Sequence, residues 1–209
     1  MGGRGTCLHE KEKSGARHGY HCTTLLGLVG SDSFPRVEDQ AEPALRVDER
    51  TSLAQFLDAQ RAAVVRLVSG LDKDQLATTL PTSDLTLAGL LKHLALVEDS
   101  WFQEEFLGRQ IPEPFADVDW DADPDWEFRT ALDDDPSWLL RRYEEACERS
   151  RSVVASHSLD DLSVATSRRI DRGTHYSLRW IVLHLIEETA RHAGHADLLR
   201  QAADGTTGV

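Results

Sequence analysis

The 209-residue chain is poor in cysteine, in positive charge and in long apolar runs. Its cysteines, Cys7, Cys22 and Cys147, cannot all pair within one chain, so no disulfide framework is expected and a reducing, cytoplasmic setting fits best. A membrane span needs roughly 18 or more consecutive apolar residues. The nearest run, TTLLGLV, is too short even for a signal peptide. Lysine is scarce, with four against nineteen arginines, and the formal net charge is −13. Nucleic acid and anionic membrane are therefore not expected partners, since both are polyanions. No segment of useful length alternates apolar and polar residues, so no sheet is expected. Several catalytic signatures are absent as well: His-Glu-x-x-His, Gly-x-Ser-x-Gly and a phosphate-cradling glycine loop. No glutamate stands three residues before any histidine, which removes the paired Glu-x-x-His of di-iron bundles. Cys147 lies in EEACER, where carboxylates oppose a thiolate, so packing is its expected role.

Helical periodicity is what the chain has in quantity. Residues 1–43 mix Gly, Lys, Arg and His without an apolar period and are expected to be a disordered tail. Cys7, His9, His18, His21 and Cys22 fit no common zinc-finger spacing. From residue 44 to 209 a single domain is expected. Ser52 and Gln55 read as a capping box opening a helix that ends at Gly70. A second helix runs from about Thr86 to Gly108, and a third starts at Asp135-Pro136, with Asp as cap and Pro in the first turn. The fourth begins at Ser177 and ends near Gly205. Between the second and third, a Pro- and Asp-rich stretch carrying Trp120 and Trp126 reads as a long loop over residues 110–135, of the kind that is often functional or mobile. Four amphipathic helices of this length imply an all-α four-helix bundle.

The last helix carries the chemistry. In IEETARHAGHADLLR, at roughly 100° per residue, Glu188, His192 and His195 share one stripe with His184 a turn earlier. A glutamate and a histidine four residues apart can reach one metal ion, and a third donor would come from another helix. His93 is the candidate, because Leu90, Leu96 and Val97 surround it at helical spacing. His93, Glu188 and His192 would leave a coordination position open, as in a catalytic rather than a structural site. The alternatives are plain ones: a lone core histidine is ordinarily a hydrogen-bonded polar residue, and the stripe could be a solvated face. His184 and His195 are candidates for orienting a ligand or moving a proton, and Arg179, Trp180 and Arg191 for holding a substrate.

DLTLAGLLKHLALVEDSWF and SLRWIVLHLIEETARHAGHADLLRQAADGTTG together resemble the DinB-like superfamily of metal-binding four-helix bundles, nearest its actinobacterial mini-circle-type branch of unassigned function. The resemblance covers about residues 44 to 206 and rests most on Glu-x-x-x-His-x-Gly-His. Many such proteins hold a metal with three histidines. Here His93 and His192 match two of them, while Glu188 stands at the remaining position, a departure similar to the mycothiol-dependent maleylpyruvate isomerases. The resemblance implies a divalent metal, zinc first and Ni2+, Mn2+ or Fe2+ as alternatives, with mycothiol as cosubstrate of an S-transferase or isomerase acting on a small electrophile. It also allows a homodimer. The rival reading is a non-catalytic metal-binding bundle for dimerisation or sensing, since fold alone does not fix function.

Overall fold

The computed structural model describes residues 42–167 and 171–207. The expected tail, and the cysteines and histidines within it, lie outside the described residues except for Glu42 and Pro43.

The long helices start where side chains can satisfy their first free amides. Helix α1 (Glu49–Val68) is capped by Asp48, which accepts from the backbone N–H of Thr51. This replaces the expected Ser52 cap: the aspartate lies outside the apolar period and adds a turn to the helix, while Gln55 turns back to accept from Ala44 N. A true capping box closes instead on the short α2 (Lys73–Leu76), between Asp72 and Gln75. Helix α3 (Leu87–Asp99) begins at Thr86, whose hydroxyl accepts from Gly89 N. It runs on into a π-helical segment, Ser100–Phe106, a wider winding that often accompanies functional sites. Asp135 caps α5 (Pro136–Ser156), and Ser177 caps α6 (Leu178–Asp204), which ends on left-handed Gly205.

The expected long loop is largely folded back on the bundle. It contains a 3-10 turn, Phe115–Asp117, and a short helix α4 (Trp126–Thr130). Lys92 holds α4 in place: its buried ammonium donates to Thr130 Oγ1 at 2.7 Å and Asp134 Oδ2 at 2.6 Å, and lies 4.2 Å from the Trp126 ring centroid. The expectation of no sheet is corrected by a small antiparallel ribbon, β1 (Leu162–Thr166) with β2 (His175–Ser177). Its Val164 packs against Gly108, where a Cβ would meet Val164 Cγ1 at 2.8 Å and φ is +64°.

Helices α1 and α6 form one tightly packed pair, and α3 and α5 form the other. The interior falls into two apolar clusters, one built around Leu67, Leu91, Leu139 and Leu199, the other around Leu57, Phe102, Ile181 and Leu185. Between them each helix sets polar groups inward. Arg61 of α1 grips Glu98 of α3 through two bonds of 2.7 Å. Asp99, fully buried, receives Arg149 of α5 at 2.8 and 2.9 Å and Arg142 at 3.3 Å. Buried Ser150 occupies this layer on α5, and Glu188 and buried Thr189 occupy it on α6. The Cys147 thiol is buried near Glu98, and burial first, then that carboxylate, push its pKa up.

Candidate metal centre

The centre lies where one helix of each pair faces the other. Each ligand nitrogen or oxygen of His93, Glu188 and His192 lies within 4.8 Å of the other two. His192 Nε2 is 3.1 Å from Glu188 Oε1, and His93 Nε2 is 3.8 Å from the same oxygen. Two donors on one ion at a tetrahedral angle would stand about 3.4 Å apart. The two observed separations bracket that figure, so the donor set fits a divalent cation after small side-chain shifts. The side chains of His93, Glu188 and His192 keep 21%, 24% and 12% of their surface exposed, leaving one side of the cluster within reach of a small molecule.

Each imidazole is held from behind. His93 Nδ1 lies 2.9 Å from Glu127 Oε1, and the ring stacks on Phe128 with centroids 4.8 Å apart. An ionised carboxylate can only accept, so Glu127 is placed to take an Nδ1–H from His93, while Nε2 is the ring nitrogen turned toward Glu188. Gly89, one turn before His93, makes the approach of α4 possible: a Cβ there would stand 3.0 Å from Phe128 Cδ1. On α6, His192 Nδ1 faces His195 Nδ1 at 3.5 Å. His192 is held below the ordinary imidazole pKa, first by burial and then by neighbouring His93, against the opposing pull of Glu188. Burial and His93 thus favour the neutral imidazole, the form a metal requires.

The other candidates of the sequence take different places. His184 stacks on Trp180, with centroids 5.1 Å apart, and meets Trp101 edge-on at 4.7 Å. With Tyr176, which lies 4.8 Å from Trp180, they make a partly exposed aromatic ledge beginning one turn from Glu188. Arg179 pairs with Glu49 of α1 and with Asp160. Arg191 pairs on the surface with Glu187 at 3.2 Å. Sequence reasoning missed Glu127. Nothing in its spacing marks it among the many acidic residues of its stretch, and the one usable hint was that aromatic Trp126 and Phe128 flank it.

A four-helix bundle that gathers histidine and glutamate donors between its second and last long helices has the architecture of the DinB-like proteins. The chain belongs to the mycothiol-S-transferase family, whose match extends over residues 52–205. Its fold is also similar to the crystal structure of a conserved protein from Enterococcus faecalis. The TM-score is 0.55 at 13% identity, covering 77% of this chain and all of the other. No curated protein matches the chain. Among the described residues no helix is long and apolar enough to cross a membrane.

Proposed function

We propose that this protein is a metal-dependent transferase that joins a low-molecular-weight thiol, mycothiol by its family, to a small electrophile in the cytoplasm. The observation that carries this reading is the convergence of His93 with Glu188 and His192 on a partly open face. A bound divalent cation, zinc on this donor set, supplies the positive charge that stabilises a thiolate and lowers the thiol pKa. His93 and His192 would hold it through ring nitrogens, Glu188 would offset part of its charge, and His195 would support the His192 ring from its far side. Trp180 and His184, on the ledge beside Glu188, receive the non-reacting part of the substrate on their ring faces. Arg191, whose exposed guanidinium pairs with Glu187, would have to leave that partner to meet an anionic substrate group. Arg179 instead ties α6 to α1 through Glu49. In the transfer the thiol loses its proton and its sulfur forms the new S–C bond. The electron pair displaced leaves with a halide, stays on the opened epoxide oxygen, or moves from an enone C=C to the α-carbon, and the last two then take up a proton.

The test is to incubate zinc-loaded protein with mycothiol and a panel containing an alkyl halide, an epoxide and an enone. Thiol consumption that stops on chelation and returns with zinc is the expected result. No consumption across the panel, with metal bound, would overturn the proposal.

A further inference from the structure

We infer that Glu127 is a positioning residue of the centre: its carboxylate fixes the His93 proton on Nδ1 and so aims the Nε2 lone pair at Glu188 and His192. The inference rests on reading the cluster as a metal centre. A neutral imidazole carries one proton, which either nitrogen can hold, and only the unprotonated nitrogen can bind a cation. Metal-bound histidines commonly donate their remaining N–H to a carboxylate, which fixes both tautomer and ring orientation. The geometry here has that form, with Glu127 Oε1 at 2.9 Å from Nδ1 while Nε2 faces Glu188.

Burial makes the assignment specific. Glu127 is only 4% exposed, and its other oxygen, Oε2, is buried with no hydrogen-bond partner. A buried carboxylate left half unsatisfied is costly unless a nearby positive charge offsets it. The nearby ammonium of Lys92 is directed instead to Thr130 and Asp134. The hydrogen bond of Glu127 goes to His93, and through that ring it faces the place where the cation would sit. The short α4 thus serves as a mount for one carboxylate. Phe128 stacks on the ring it serves, and Gly89 provides the clearance.

The experiment has two arms, on the full chain. In the metal-free wild type, long-range nitrogen–proton NMR correlations of the His93 ring should report the Nδ1–H tautomer, and Glu127→Gln should lose that preference. A wild-type His93 protonated on Nε2 would overturn the inference without any variant. In the second arm, cobalt(II) is titrated and its visible absorption followed. Glu127→Gln should bind roughly tenfold to hundredfold more weakly, the usual scale for such partners. Equal affinity in wild type and Glu127→Gln, with the His93 tautomer unchanged, would also overturn it. Failure of the wild type to bind cobalt or zinc would sink the metal reading instead, while the tautomer arm, which needs no metal, would still decide the role of Glu127.

Discussion

Removing the imidazole of His93 would take away the donor that α3 brings to the centre, while Glu188 and His192 stay together on α6. His93→Ala protein dialysed against a mild chelator should therefore lose its metal, whereas wild type retains it. Glu188→Gln keeps the side-chain shape but removes the anion and should weaken binding. His195→Ala should leave the metal in place, because His195 reaches the cluster through His192. Elemental analysis of the dialysed proteins checks all three. Acidity acts on the same group of side chains. The native pKa of His192 lies below its unfolded value, which is about 6.5. Its contribution to stability is therefore fully present above that value and is lost as the pH falls through the depressed native one. The melting temperature of metal-free protein should accordingly fall with acidification below about pH 6.5, and the part of that fall belonging to His192 should be missing from His192→Gln. An identical acid slope in the two proteins would contradict this.

Among the elements, α3 depends most on its two consecutive buried carboxylates, each gripped by a different helix. Glu98 is held by Arg61 of α1 and Asp99 by Arg142 and Arg149 of α5. Both side chains of the Arg61–Glu98 pair are almost wholly buried. Glu98→Ala would leave the buried guanidinium with only the half-exposed Asp58 as an anionic partner and should cost about 3 kcal/mol, whereas replacing both members by methionine should cost less. Denaturant unfolding of the two proteins decides it, and equal losses would mean that the charges are not coupled. Neither partner could be chosen from the sequence, because a charged residue at a core position names no mate. The helices themselves were legible: Thr86, Asp135 and Ser177 advertise their starts, and Gly108 and Gly205 their ends. The ribbon was not, because β1 is five residues long with an irregular burial pattern and a register shift. At the centre, His93, Glu188 and His192 could be read from helical spacing. Glu127 could not, since what brings it to His93 is the packing of α4 across Gly89 rather than any periodicity.

At the scale of the whole molecule, both apolar clusters, the polar layer and the candidate centre are built from residues after Val47. A chain beginning at Glu42 should therefore keep the melting temperature and metal content of the full one. A clear loss of either would show that the preceding residues contribute to the fold. The centre also has a mechanical meaning. It takes one donor from the α3–α5 pair and two from the α1–α6 pair, and so spans the boundary across which α3 and α6 pack less closely than the helices within each pair. An ion seated there would act as a rivet between the two helix pairs. Because it holds only the folded arrangement, occupancy at a hundred times the dissociation constant adds about 2.7 kcal/mol. Calorimetry should then show the metal-free protein melting earlier and over a broader range, as the two helix pairs begin to part along their shared seam before either one unravels.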